Sequence, residues 1–101
     1  MTDTAKGYWL VRFTTTDPDG FAAYAAAAAP ATAPFGAQLI VRGGQNEVVE
    51  GTSRPNNVVV EFASYAEALA CYRSDAYQAA IALRKNAAEF DLVIVEGVSP
   101  A

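Results

Sequence analysis

The chain has 101 residues, of which 52% are apolar and 18% are charged, and its formal net charge is −4. This composition predicts one globular domain over residues 1–101 and excludes a disordered chain. Nucleic acid and anionic membrane surfaces are not expected as partners, because both attract a basic surface and the chain has only seven Lys and Arg residues.

The sequence offers no segment that would enter a membrane. Its longest apolar run, residues 21–33, is rich in alanine, is interrupted by Pro30 and is shorter than the roughly 20 apolar residues of a spanning helix. Residues 1–7 lack the basic start and apolar stretch of a secretory signal. We therefore expect a cytoplasmic protein.

The chain begins with a predicted strand and helix. Residues 6–14 are rich in aromatic and β-branched side chains, which are typical of a strand. Asp17 is suited to cap a helix that starts at Pro18, because aspartate accepts hydrogen bonds from terminal amides and proline fits the first helical turn. Pro30 should end or kink this helix, and Gly36 is a natural stop.

Two further strands are predicted in the middle of the chain. The first covers residues 37–42 and ends at a pair of glycines. A short strand or hairpin arm is predicted at 47–50, and the turn-rich residues 51–57 form a loop. The second strand covers residues 58–63, which are almost entirely apolar.

The last part of the chain predicts a helix in two pieces and a final strand. Ser64 and Glu67 have the spacing of a capping box, which opens a helix with Leu69 and Tyr72 facing inward. Ser74 is best interpreted as the N-cap of the second helical piece, predicted at residues 76–88. A strand at 90–96 follows.

The order β α β β α β indicates an α+β, ferredoxin-like fold with a four-stranded antiparallel sheet and its helices on one face. A sheet face in water should alternate apolar and polar residues, yet the strands at 8–13, 58–62 and 92–97 are apolar in both phases. The open face therefore needs a cover, and the simplest cover is the sheet of a second copy. This reasoning predicts a homodimer.

Five motifs also carry a resemblance to a known family. They are LIVRGG at 39–44, EG at 50–51, RP at 54–55, the segment VVVEFASYAEALACYRSDAYQ at 58–78, and LVIVEG at 92–97. Together they make residues 7–98 resemble the domain of unknown function 1330 family. The resemblance implies a dimeric α+β barrel, in which two ferredoxin-like sheets enclose a shared interior, and it brings no established reaction. Relatives on this barrel include cofactor-free monooxygenases, isomerases and binding proteins, and fold alone does not choose among them.

Strand periodicity separates the two faces of the predicted sheet. Arg12 and Glu61 should face the interior between the subunits, where charges need partners. Arg42 is a candidate for the same interior, unless a one-residue shift puts Val41 there instead. The side chains expected under the helices are Trp9, Val11, Phe13, Val60 and Phe62.

Seven residues are candidates for a site at the sheet face. A carboxylate could act as a general base, arginines could bind an anionic or carbonyl-bearing ligand, and a phenol near the helix break could orient the ligand or donate a proton. The candidate catalytic residues are Glu61 and Tyr72, and the candidate ligand-binding residues are Arg12, Arg42, Glu50, Arg54 and Tyr77.

Structural roles are the alternative for the same side chains. In that interpretation Glu61 pairs with an arginine and holds the register of the dimer, and the tyrosines are packing residues. No metal or cofactor is expected, because the chain has no histidine, one cysteine and no phosphate-binding loop. Cys71 is interpreted as a small buried apolar residue.

Three functions remain open from the sequence. They are a cofactor-independent enzyme, a non-catalytic protein that binds a small organic molecule, and an accessory dimer without a ligand. Binding of a small molecule in a pocket at the sheet face is the favoured prediction, with a homodimer as the expected assembly.

Overall fold

The computed structural model describes residues 5–99 of the chain. Its strands are β1 (Gly7–Thr15), β2 (Gln38–Arg42), β3 (Asn56–Phe62) and β4 (Ala88–Glu96), and they form one antiparallel sheet in the order β2-β3-β1-β4. Its helices are α1 (Pro18–Thr32), α2 (Tyr65–Arg73) and α3 (Asp75–Leu83). The predicted α+β fold with a four-stranded antiparallel sheet is confirmed, and so is the division of the second helical region into two pieces.

Serine side chains start both α2 and α3, as predicted. The Ser64 hydroxyl accepts a hydrogen bond from the Glu67 amide at 3.1 Å. The Ser74 hydroxyl accepts one from the Tyr77 amide at 3.2 Å and donates one to the Cys71 carbonyl at 2.7 Å. Ser74 thus satisfies a backbone carbonyl at the end of α2 and a backbone amide at the start of α3. This explains how the helix breaks sharply without a glycine.

Helix α1 begins at Pro18, as predicted, and differs from the prediction in the role of the Asp17 side chain. Asp17 occupies the N-cap position, but its side chain makes no capping hydrogen bond. Pro30 does not end the helix, which continues to Thr32 and passes into a 3-10 turn at Ala33–Phe35. The chain then leaves at Gly36, whose left-handed φ of 73° suits glycine. No helix within residues 5–99 is both long and apolar enough to span a bilayer.

Two boundaries in the second half were predicted wrongly. Residues 47–50 form no strand, and the whole segment 43–55, called here the β2–β3 loop, is irregular. Helix α3 ends at Leu83 rather than residue 88, because β4 already begins at Ala88, where it pairs with Thr15 of β1. Long-range strand pairing overrides the local helical preference at this point.

The core lies between the sheet and the helices. Trp9 and Phe62 are 3% and 1% exposed, which confirms that their phase of the strands faces the helices. The indole nitrogen of Trp9 donates to the Ala68 carbonyl at 3.0 Å, which ties β1 to α2. Ala68 and Cys71 carry the buried side of α2, whereas the predicted inward residue Leu69 is only half-buried.

The opposite face of the sheet carries a continuous apolar row. Val41, Val59, Leu10 and Val93 are paired across all four strands. Val93 is 50% exposed and Val41 is 42% exposed. This row is the feature that the sequence predicted from strands that are apolar in both phases.

β1 packs so closely against the start of α2 at Gly7 that there is no room for a side chain. A Cβ atom on Gly7 would fall 2.6 Å from the Ser64 carbonyl carbon and 2.7 Å from the Tyr65 Cα, and these backbone atoms cannot move aside easily. We expect Gly7→Ala to lower the free energy of unfolding by about 1–3 kcal/mol. Denaturant unfolding measures this change. Gly44→Ala is the control, because nothing lies within 4 Å of its Cβ position, and equal stability of the two variants would contradict the prediction.

Candidate functional site

A cavity of about 510 Å³ lies between α1 and the helix side of the sheet. This volume falls within the range of roughly 300–1,000 Å³ that small-molecule sites occupy. Its walls are mainly apolar and aromatic, and they include Trp9, Val11, Phe13, Phe21, Val60 and Phe90.

The cavity results from the small side chains of α1. Ala25, Ala28, Ala29 and Thr32 all line it, and their spacing places them along one side of the helix. Alanine methyl groups do not reach as far toward the sheet as leucine or phenylalanine side chains would, so a gap remains. The alanine-rich run of α1 is the sequence signal for this cavity.

Two tyrosine hydroxyls meet at the cavity wall. The hydroxyls of Tyr24 and Tyr77 are 2.5 Å apart, and the two residues are 8% and 1% exposed. Burial raises the pKa of Tyr77 strongly, and the neighbouring Tyr24 raises it further. Burial also raises the pKa of Tyr24, although Tyr77 and the Arg84 cation oppose that rise. Both side chains are therefore neutral phenols at neutral pH and act as hydrogen-bond donors rather than bases.

Arg84 stands beside this tyrosine pair. Its guanidinium carbon lies 3.8 Å from the centre of the Phe90 ring and 4.9 Å from the centre of the Tyr24 ring. One of its terminal nitrogens, Nη1, is buried and has no hydrogen-bond partner within the described residues. Arg84 was not among the site residues predicted from the sequence, because it is far from Tyr24 along the chain and no local pattern indicates that the two residues stack.

Arg42 lines the same cavity. It therefore lies on the helix side of the sheet and not on the open face, which strand periodicity had indicated. A bulge between Leu39 and Val41 pairs Val41 with Val59 on the open face. Arg42 consequently pairs with Val58 and belongs to the helix side of the sheet, at an exposed edge of the cavity. The expected position in an intersubunit interior is wrong, and the alternative one-residue shift is what the structure shows.

Arg12 and Glu50 lie at a second hollow on the other side of the sheet. This hollow, of about 450 Å³, is formed by the β2–β3 loop against β1 and β3, and its lining is mainly polar. Arg12 and Glu50 are both exposed. Both residues line this hollow and are apart from the cavity that Arg42 and Tyr77 share, so the structure does not bring the predicted ligand-binding residues together in one site.

Glu61 has a tyrosine as its partner. The Tyr8 hydroxyl donates to a Glu61 carboxylate oxygen at 3.1 Å, and the two residues are directly paired across β1 and β3. Partial burial and the Glu61 carboxylate raise the pKa of Tyr8. Within residues 5–99 Glu61 enters no salt bridge. Within a single chain Tyr8 is therefore the partner of Glu61, and a pair between Glu61 and an arginine across a dimer stays a prediction.

Arg54 fastens the β2–β3 loop to β4. Its Nε atom is 2.6 Å from Asp91, and its Nη1 atom is 2.9 Å from Glu89 and 3.3 Å from the Thr14 hydroxyl. These hydrogen bonds raise the pKa of Arg54, and the bond to Asp91 has the largest effect. Two of its nitrogens are thus engaged by the chain itself, which indicates a structural role.

Tyr72 belongs to the helix side of the sheet. Its ring packs against Trp9 with a centroid distance of 6.1 Å and against Tyr77 at 5.7 Å. Glu61 is on the open face, so the sheet separates the two candidate catalytic residues. They cannot act on one substrate atom within a single chain.

Metal and thiol chemistry find little support among the described residues. Residues 5–99 contain no group of three or more His, Cys, Asp or Glu side chains arranged to hold a metal ion. Cys71 is fully buried, and burial raises its pKa to about 11. The thiol is therefore protonated at neutral pH and unreactive.

Comparisons with known proteins agree with this fold. A family model described as "Domain of unknown function (DUF1330)" matches residues 6–98. No curated protein matches the chain. Among solved structures, the chain is similar to the RPA0582 protein of unknown function from Rhodopseudomonas palustris, with 18% identity, a TM-score of 0.70, and coverage of 98% of this chain and 87% of that chain.

Two further solved structures are similar at lower scores. SnoaB, a cofactor-independent oxygenase from Streptomyces nogalater, has 10% identity and a TM-score of 0.60, with coverage of 95% of this chain and 96% of that chain. A possible oxidoreductase of unknown function from Bacteroides thetaiotaomicron has 15% identity and a TM-score of 0.53, with 92% and 98% covered. At these identities the likeness shows the fold alone.

The tyrosine pair predicts a specific dependence of stability on pH. We expect Tyr77→Phe to lower the free energy of unfolding at pH 7 by about 1 kcal/mol, because Tyr24 loses its buried partner. Burial raises the folded-state pKa of Tyr77 above the value of about 10 in the unfolded chain, so its contribution to stability is present below pH 10 and is lost as the pH rises above it. The variant lacks this phenol, so the difference in the free energy of unfolding between wild type and variant should become smaller between pH 9 and 11.

Urea unfolding at a series of pH values measures this difference. Tyr65→Phe, which removes the hydroxyl of an exposed tyrosine, is the control and should change stability at pH 7 by less than about 0.5 kcal/mol. A difference between Tyr77→Phe and wild type that stays constant from pH 7 to 11 would contradict the prediction.

Proposed function

The chain belongs to the DUF1330 family, and we propose that this member binds a small organic molecule in the cavity between α1 and the sheet. One observation carries the proposal, namely an apolar cavity of about 510 Å³ with few polar groups on its wall. Such a combination of apolar walls and a small number of placed hydrogen-bonding groups is typical of small-molecule sites. A bound apolar molecule would remove the ring faces and methyl groups of these walls from water.

The proposed site differs from the one that the sequence favoured. The sequence favoured a pocket at the sheet face between two subunits, with Glu61 at its centre. The proposed cavity uses Arg42 and Tyr77 from the predicted set and adds Tyr24. Arg12 and Glu50 contribute to a separate polar hollow, and Arg54 holds the loop above it.

Turnover of the bound molecule without a cofactor is the second candidate function. It is favoured by the neutral phenols of Tyr24 and Tyr77, which can donate a proton or a hydrogen bond inside the cavity. The fold is also that of SnoaB, which is described as a cofactor-independent oxygenase. An accessory role without a ligand is the remaining alternative and would leave both cavities without a specific occupant.

We also propose that the chain is a single cytoplasmic domain that forms a homodimer through the open face of the sheet. The apolar row that includes Leu10 and Val93 supports this assembly, because half-exposed aliphatic side chains paired across a whole sheet are stabilised by a second apolar surface. Charged and polar residues border the row on both sides, as at the rim of an interface.

Filling the cavity should abolish ligand binding. The neutral fluorescent probe N-phenyl-1-naphthylamine should bind the wild-type protein saturably with one site per chain, because the cavity walls are apolar. We expect Ala29→Phe to weaken this binding by at least 10-fold, because Ala29 lines the cavity from an exposed position on α1. Ala26→Phe is the matched control, since Ala26 is exposed on the same helix and does not line the cavity. Absence of saturable binding, or equal binding by both variants, would refute the proposed site.

A charge on the open face should dissociate the proposed dimer. Val93 is half-exposed in the single chain, so Val93→Glu should leave the fold intact while placing a carboxylate in the apolar interface. Light scattering coupled to gel filtration should show a dimer for the wild type and a monomer for the variant. Val98→Glu is the control, because Val98 is 94% exposed beyond the end of β4. A wild-type monomer, or an unchanged dimer in Val93→Glu, would show that the open face is not the interface.

A further inference from the structure

We propose that the ligand of the cavity between α1 and the sheet is an elongated apolar carboxylate that carries a neutral oxygen acceptor, such as a carbonyl or ether, at its far end. This inference rests on the proposed function and names the chemical class of the ligand. It follows from two different polar groups, Arg42 and the tyrosine pair, on the wall of a largely apolar cavity.

Arg42 defines the end that receives the carboxylate. It lines the cavity from β2, which is the edge strand of the sheet, and it is exposed to solvent there. Within residues 5–99 it enters no salt bridge, so its guanidinium is available for a bidentate pair with a carboxylate. A charged ligand group is tolerated at this edge because it keeps part of its hydration.

The tyrosine pair defines the other end. Each hydroxyl can donate one hydrogen bond, and the 2.5 Å contact between Tyr24 and Tyr77 uses only one of the two protons. No other hydrogen bond to these hydroxyls forms within the described residues. One donor is therefore left at the wall of a largely apolar cavity, where an unsatisfied polar group is costly. An oxygen atom of a ligand would satisfy it.

Arg84 favours an acceptor oxygen over a donor at this end. Its cation lies against the ring face of Tyr24 and acts on both phenols, which strengthens them as donors. A carboxylate is assigned to the exposed Arg42 end rather than to this one, because it keeps part of its hydration there, whereas the desolvation of a carboxylate at the buried phenols is expensive even beside a cation. A neutral, polarisable oxygen meets both requirements.

The sheet sets the length of the ligand. Tyr77 packs on Trp9 of β1, with ring centroids 4.8 Å apart, whereas Arg42 belongs to β2. These strands are separated by β3 alone, and two strand spacings amount to roughly 10 Å. Two fused aromatic rings with a substituent at each end span a comparable distance, and their flat faces suit the aromatic walls.

Four naphthalene probes test the inference, with affinities measured by competition against N-phenyl-1-naphthylamine. They are 6-methoxy-2-naphthoate, 2-naphthoate, 2-methoxynaphthalene and naphthalene. We expect 6-methoxy-2-naphthoate to bind most tightly. Arg42→Gln should weaken both carboxylates by roughly 10-fold and leave the two uncharged probes unchanged, because a charge-assisted hydrogen bond is lost. Arg73→Gln, which removes an exposed arginine from α2, should change no affinity.

The tyrosine variants test the other end. The double variant Tyr24→Phe/Tyr77→Phe, which removes both hydroxyls and so the free donor, should weaken the two methoxy probes by roughly 3- to 10-fold relative to their unsubstituted partners. Each single variant retains one hydroxyl that can donate to the ligand and should weaken them less, and circular dichroism checks that all three variants are folded. Two results would overturn this inference while the proposed function stands. One is equal affinity for all four probes, and the other is an Arg42→Gln variant that weakens the uncharged probes as much as the carboxylates. Failure of all four probes to displace bound N-phenyl-1-naphthylamine would overturn this inference alone, whereas failure of N-phenyl-1-naphthylamine itself to bind would overturn the proposed function and the inference with it.

Discussion

The packing of Trp9 is the contact on which the rest of the structure depends. Its indole joins β1 to α2 through the bond to the Ala68 carbonyl, and its ring contacts Phe62, Tyr72 and Tyr77. These large side chains fill the space beneath α2 and the start of α3. Where α1 covers the sheet, alanine side chains line much of the space instead. The aromatic side chains under α2 and α3 keep the sheet and the helices at a separation that these alanines do not fill. The cavity is the consequence of this unequal filling.

The same unequal filling decides where polar chemistry is possible. Tyr24 and Tyr77 lie at the boundary between the filled and the unfilled part of the core, so their hydroxyls bond to each other while both residues line the cavity. Arg84 stacks on the neighbouring rings and supplies a positive charge without entering a salt bridge in the described chain. Burial keeps the phenols neutral, which makes this end of the cavity a hydrogen-bond donor.

Several parts of the fold were predictable because they depend on local chemistry. Ser64 and Ser74 mark helix starts through hydroxyl acceptors that lie three residues before the amides they cap. The two-residue periodicity of a strand correctly predicted that Trp9 and Val11 lie on the buried face of β1. The order of the predicted elements indicated a ferredoxin-like, four-stranded antiparallel sheet, and the observed strand order β2-β3-β1-β4 is consistent with it. The failures, at residues 47–50 and at the end of α3, occur where long-range pairing decides the outcome.

The sequence by itself determined the order of elements, the serine caps of α2 and α3, the apolar character of both sheet faces and the family. Only the tertiary structure decided which candidate residues share a site. A single bulge after Leu39 moves Arg42 to the helix side, because side-chain direction in a strand reverses with each residue. Packing of α1 and α3 brings Tyr24 to Tyr77, 53 residues apart, and Arg84 to their rings. Such proximity depends on helix packing over the sheet, and no local pattern in the chain encodes it.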